Sequence, residues 1–306
     1  MTKIVSSKAI AEFCVQKLGA ELIGEPGEFS IRRVCTSSGL VEGGIAFSKT
    51  DPSEATQRLI PRNSVLLAPL GSSVVPDPEG LIILLENPRL AFAQVVAEFL
   101  VGPSFSGIHP TSIIHPSAHI DETASIGEYS IIGPDCVVGA GSVVHRHVVL
   151  SRNVTIGKNC VIFSHAVLGE DGFGVETDSN GNLLRIPHLG GVVVGDFVQI
   201  GNFTAVASGT IEPTIIGDYT MIDNLVHVAH NVRIGRNCQI IACSEISGSV
   251  TIGDRAWIAP NAAILQKLQI GAGAVVGLGA AVTKSVEPST VVAGVPARVI
   301  KRLEGP

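Results

Sequence analysis

MIDNLVHVAHNVRIG, residues 221–235 of this 306-residue chain, holds the side chains best suited to chemistry. His227 and His230 stand three apart, just after Asp223 and Asn224, in a stretch otherwise of apolar and small residues. Imidazole, with an ordinary pKa of about 6.5, can take the proton that a nucleophile must lose when it attacks a carbonyl. The oxyanion formed in that attack needs a positioned donor. Residue type and spacing alone also fit a metal bound by histidines from adjacent subunits, or a hydrogen-bonded surface imidazole.

What places these residues is a repeat. Aliphatic residues recur every six positions at Ile114, Ile120, Ile126, Ile132, Val138, Val144, Leu150, Ile156, Ile162 and Leu168. The period resumes at Val194, Ile200 and Val206, then runs from Ile216 to Val282. Neither the helical period nor the strand period gives six. A hexapeptide solenoid does, with three hexads per coil and the aliphatic side chain turned inward. The spacing predicts about eight coils roughly 4.8 Å apart. Glycine often follows the aliphatic residue, as in SIGEYS and TIGKNC, and is expected there to supply a tight corner with positive φ. In this register Val228 points inward, His227 outward, and His230 falls near a corner.

Two interruptions are expected to emerge at corners, where solenoid insertions often line a binding face. Residues 169–193 carry the turn signal DSNGN and read as a projecting hairpin or loop. The second interruption, around SGTIEP at 208–213, is shorter. Residues 1–105 lack the hexad and read as a small α/β domain. SSKAIAEFCVQKLG is a helix with a serine start and a glycine stop. SIRRVCT, GIAFSK, NSVLLAP and GLIILLE are short strands. In ENPRLAFAQVVAEFLV, Asn87 caps a helix and Pro88 suits its first turn. The solenoid spans 106–288, and 289–306 form a C-terminal cap, read as a capping helix with a basic face or as a phosphate-binding tail.

Composition narrows the class. Hydrophobic residues make up 45% and aromatics 4%, a core of β-branched and small aliphatics. A net charge of −6 argues against a nucleic-acid partner. No apolar run reaches the roughly 20 residues of a membrane span. MTKIVSSKAIAEF has no secretory core, so a cytoplasmic protein is expected. The six cysteines form no metal or disulfide pattern and are read as buried structural thiols. His115, His119, His145, His147, His165 and His188 are read as solvated or hydrogen-bonded.

The repeat resembles the left-handed β-helix acyltransferases over about residues 109–297. IDNLVHVAHNVRIG, with GEDGFG and RIPHLGGV upstream, resembles the lipid A family UDP-3-O-acylglucosamine N-acyltransferase, the LpxD type. HPTSIIHPSA and NPRLAFAQVVAEF are similar to it too. The resemblance implies a homotrimer with active sites between neighbouring prisms, and a nucleotide-activated amino sugar as acceptor. It implies acyl-CoA or acyl-carrier protein as donor, with no tightly bound cofactor and no metal. It makes His230 the catalytic base and puts Asp223 and Asn224 in the same cleft; His227, turned outward, is read either as a solvated or hydrogen-bonded side chain or as a substrate-side residue at the subunit interface. Phe173 of GEDGFG then faces the acyl chain or anchors its loop.

Departures accompany the likeness. The family's second histidine, expected one coil later, is replaced by Lys267 in ILQKLQIG. Of the family's uracil-binding aromatic pair and asparagine, only Phe47 matches; Thr50 and Ser53 stand at the other places. STVVAGVPARVIKRLE resembles the donor-binding tail of CoA-dependent hexapeptide acetyltransferases, in which Ala293, Gly294 and Pro296 would shape a turn and Arg298, Lys301 and Arg302 would meet donor phosphates. The rival readings are a CoA-dependent N-acyltransferase on a dideoxy amino-sugar nucleotide, a trimeric metal hydratase and a non-catalytic scaffold.

Overall fold

The computed structural model describes residues 4–51, 60–73, 79–101 and 105–303. The chain divides into two compact units, 1–104 and 105–306.

In the first unit, β1 (Val5–Ser6) leads into α1 (Ser7–Leu18), followed by β2 (Glu21–Ile23), β3 (Ser30–Ile31), β4 (Arg33–Val34) and β5 (Gly44–Phe47). β6 (Val65–Pro69), β7 (Leu81–Leu85) and α2 (Pro88–Val95) complete it. The Ser6 hydroxyl accepts from the Lys8 amide to start α1, and Gly19, left-handed at φ 66°, ends it. Asn87 caps α2 by accepting from the Leu90 amide at 3.1 Å. Among the described residues the sheet runs β2-β7-β6-β5-β4, parallel except for β2 against β7. Ile10 and Cys14 of α1 and Val95 of α2 bury against Ile45, Leu67 and Ile83 on one face of it. β1 and β2 are absent from the sequence reading, because two or three residues carry no period.

The second unit is a parallel β-solenoid. Two- and three-residue strands stack into three sheets of ten, nine and eight strands among the described residues. The inward aliphatics, among them Ile132, Leu150, Ile200, Val228, Ile246 and Ile264, are essentially inaccessible to solvent. Cys136, Cys160 and Cys238 join them, whereas Cys243 is exposed and does not fit the buried-thiol reading.

The role of the repeat glycines differs from expectation. Left-handed φ values of 50–65° fall three residues after the aliphatic, at Tyr129, Asp135, Asn153, His165, Asn231 and Lys267. The glycine just after the aliphatic has ordinary φ, except Gly169 (φ 85°) where the long insertion leaves; a Cβ on Gly133 would stand 1.5 Å from the Ser151 carbonyl oxygen of the next coil. Close stacking of coils selects it, not turn conformation.

Neighbouring coils are normally 18 residues apart, as in the bond from the Tyr129 amide to the Thr111 hydroxyl. The separation becomes 38 between Lys158 and Asp196, then 22 between Asp196 and Asp218. Both insertions leave the column between the Val167–Leu168 and Val192–Val194 strands, and between Ala205–Val206 and Thr214–Ile216. These are the same edge in successive coils. The longer one carries a hairpin pairing Val175–Thr177 with Leu183–Arg185, its turn closed by the Asp178 carboxylate accepting from the amides of Asn180 and Asn182. At the C-terminus the expected capping helix is replaced. Arg298–Arg302 is a strand, antiparallel to Thr290–Ala293, because Gly294 (φ 96°) and Pro296 turn the chain back.

Candidate active site

His230 occupies the edge from which both insertions emerge, one coil further along. It follows the His227–Val228 strand, and its carbonyl accepts from the Ser249 amide of the next coil. Its Nδ1 lies 2.8 Å from Oδ1 of Asn231. That oxygen also faces the Thr210 amide and hydroxyl, while the Asn231 amide nitrogen donates to the Glu212 carbonyl. An amide oxygen only accepts, so Nδ1 carries the ring proton and Nε2 keeps its lone pair. The short insertion thus fixes the tautomer through Asn231.

Two glycines bracket the half-buried imidazole. A Cβ on Gly248 would stand 2.8 Å from its Cε1 and 2.9 Å from Nε2; one on Gly172 would stand 3.1 Å from Cδ2. The Gly248 amide has no protein partner among the described residues. A proton acceptor and an unused N–H donor therefore meet at one corner, which is the pair of functions an acyl transfer to an amine requires.

The long insertion adds His188, which is hydrogen-bonded, as one of its two expected states, through Nδ1 to the Ile186 carbonyl. His188 is fully buried, and its ring meets that of His230 edge to face at 5.1 Å between centroids. Nothing in the spacing of RIPHLGGV signals burial. The other histidines vary. His115 bonds the Ser117 hydroxyl as expected, but His147 and His165 stack on one another at 4.9 Å, between Tyr129 and Phe203. His145 stacks on Phe163, and burial pushes it below the ordinary imidazole range, helped by nearby Arg146.

The remaining expected site residues are less concentrated. Asp223 and Asn224 sit at the preceding corner, across the His227–Val228 strand from His230. There they accept backbone amides: Asn224 and Ala242 donate to Asp223, and Asn202 donates to Asn224. Asp223 borders a hollow of about 290 Å³ with Phe163, Met221 and Gln239. His227 is exposed and lies beside Glu245, whose carboxyl is raised by burial and partly brought back by the histidine. Phe173 is 79% exposed, with the Arg185 guanidinium 6.0 Å from its ring centre, so it does not anchor its loop by burial. Lys267 is exposed at the equivalent corner two coils beyond Asn231, not one, since each coil takes 18 residues. Phe47 packs its ring against Phe92 at 4.9 Å, on the helix-covered face of its sheet. Thr50 accepts from the Ser48 hydroxyl through its carbonyl, and Ser53 lies outside the described residues. Gly294, Arg298 and Lys301 are exposed on the C-terminal strand pair. Among the described residues no cluster of three potential metal ligands occurs, and no helix is long and apolar enough to cross a membrane.

Comparison with known proteins supplies relatives. The family model described as bacterial transferase hexapeptide (six repeats) matches residues 213–248, and that of the GMPPB C-terminal domain matches 108–214. A UDP-3-O-acylglucosamine N-acyltransferase of Caulobacter sp. (strain K31) is 47% identical over 137 residues, 45% of this chain and 40% of that protein. One from Campylobacter lari is 42% identical over 130 residues, 42% of this chain and 41% of its own. The chain thus spans about two fifths of the length of the curated relatives it matches. LpxA from Acinetobacter baumannii superposes with a TM-score of 0.59 at 29% identity, covering 63% of this chain and 73% of that one. A UDP-N-acetylglucosamine acyltransferase structure gives 0.58 at 31% identity, with the same coverage. On its repeat, its solenoid and these likenesses, the chain belongs to the hexapeptide-repeat β-helix acyltransferase family.

Proposed function

We propose that the protein is an N-acyltransferase that moves an acyl group from a thioester to the amine of a nucleotide-activated amino sugar. The observation that carries this reading is the fixed tautomer of His230, with Nε2 bare beside the free Gly248 amide. The amine nitrogen attacks the thioester carbonyl and Nε2 takes its proton. The Gly248 N–H stabilises the oxyanion of the tetrahedral intermediate. Collapse forms the amide and expels the thiolate, which recovers the proton from the imidazolium. No acyl-enzyme forms.

The acceptor class rests on relatives named UDP-3-O-acylglucosamine N-acyltransferase. In this reading the enzyme works as a homotrimer in the cytoplasm, and a neighbouring prism brings Asp223 and Asn224 of one copy towards His230 of another. The donor is acyl-CoA or acyl-carrier protein, and Lys267, Arg298 and Lys301 supply cations for its phosphates. Phe173 is an apolar contact for the acyl chain. The test is a mass-spectrometric screen of UDP-, dTDP- and GDP-amino sugars against acetyl-CoA, longer acyl-CoAs and acyl-carrier protein. His230→Ala should lower the rate about 10²–10⁴-fold while the oligomer persists. Full activity in that variant, or no amide product with any pair, overturns the reading.

A further inference from the structure

Resting on the assignment of His230 as base, we infer that His188 is a positioning residue for the same reaction. It is a hairpin-borne imidazole that sets the angle of the His230 ring and presents a bare nitrogen to it. His188 is the one fully buried histidine among the described residues. Its Nδ1 lies 2.7 Å from the Ile186 carbonyl oxygen, which can only accept, so Nδ1 holds the proton. Nε2 is then an acceptor, and it is buried without a partner, one of two such side-chain atoms among the described residues.

The nitrogen faces the wedge between the two rings. A methyl on Gly172 would stand 3.1 Å from Nε2 of His188, 3.1 Å from Cδ2 of His230 and 3.0 Å from its Cβ. The ring is held on several sides. The His188 backbone carbonyl accepts from Arg152 at 3.2 Å, and Gly174 leaves room for Cε1 of the ring. The charged groups around the pair are Arg152 and Asp171, joined at 2.9 Å, and Arg185, which donates to the Gly172 carbonyl.

Space filling does not account for this. A phenylalanine would fill the site without the cost of an unpaired buried acceptor. The cost is offset when the neighbouring ring becomes cationic. His230 gains its proton in the transition state, and the negative end of the His188 dipole already lies beside it, needing no reorganisation.

The test compares His188→Phe, His188→Gln and His188→Ala in the full-length protein, with His230→Ala in parallel. Phe keeps the wall and removes both nitrogens; Gln restores an acceptor. For Phe and Ala kcat should fall about 10–100-fold with KM of both substrates near wild type, and Gln should recover most of the loss. Wild-type kcat in His188→Phe, beside an inactive His230→Ala, overturns this inference and leaves the base assignment standing. Activity in His230→Ala overturns the base assignment itself. Nitrogen NMR of imidazole-labelled wild-type protein reads His188 without turnover. The Nδ1–H tautomer is expected, and an Nε2–H tautomer sinks the proposal even where a variant does not fold.

Discussion

Asn231 holds His230 by one ring nitrogen and leaves the other bare: Oδ1 and Nδ1 are 2.8 Å apart, in adjacent residues of one corner. The asparagine is left-handed at φ 61°, a conformation its short polar side chain tolerates. From there its amide reaches both the imidazole and the Thr210–Glu212 insertion. Asn231→Ala should therefore free the tautomer and lower kcat by about tenfold or more, on the scale of general-base catalysis. Asn231→Asp keeps the acceptor and should retain most of the rate. Steady-state kinetics beside a melting curve decide; an Ala variant with unchanged kcat removes the asparagine from the mechanism.

Gly248 and Gly133 should respond to alanine in opposite ways. A Cβ at 248 meets an imidazole that can swing aside, so Gly248→Ala should fold normally and lose most activity. A Cβ at 133 meets the backbone of Ser151, which cannot move without opening a coil. Gly133→Ala should destabilise by more than about 3 kcal/mol, in the range of severe steric clashes. Denaturant melts and activity together test the contrast.

Thiol chemistry should sort the cysteines by position. Burial pushes Cys14 up to about 11 and raises Cys136, Cys160 and Cys238. All four should stay protonated and resist a thiol reagent at pH 8 in the folded protein. Cys243, exposed at a corner, should be labelled first. Mass spectrometry of tryptic peptides after a short pulse gives the order; rapid labelling of Cys160 would contradict the buried stack.

His145 gives a pH effect with a definite sign. Its folded value lies below the ordinary imidazole range, mainly because burial disfavours the cation. The unfolded chain therefore binds the proton first. Stability linked to this group is fully present above about pH 6.5 and is lost as pH falls from there through the folded value. His145→Phe preserves stacking on Phe163 and should flatten the fall in melting temperature between about pH 7 and 5. An unchanged fall would assign it to other groups.

The column was legible in the sequence because its signal is redundant: Ile132, Leu150 and Val228 repeat one rule, and each is buried as that rule requires. The corner position of His230 followed from the same count. Single events were not legible. The burial of His188 depends on a hairpin folding back, and a histidine in RIPHLGGV looks the same whether it is buried or wet. The glycines after the aliphatics signalled corners, but their cause lies in the neighbouring coil, 18 residues away. Of the two readings of the C-terminus the capping helix does not hold: β-branched Val299 and Ile300 suit a strand, and the preceding Gly294 and Pro296 reverse the chain.

Both departures from the coil length leave by a single edge, the one that carries His230. A length change inside a hexad would rotate every later aliphatic out of the core, whereas residues added at that edge leave the downstream count untouched. Evolution can therefore lengthen, shorten or exchange the loops around the imidazole while the scaffold beneath is frozen. New specificities in such a chain arise by grafting, not by rebuilding.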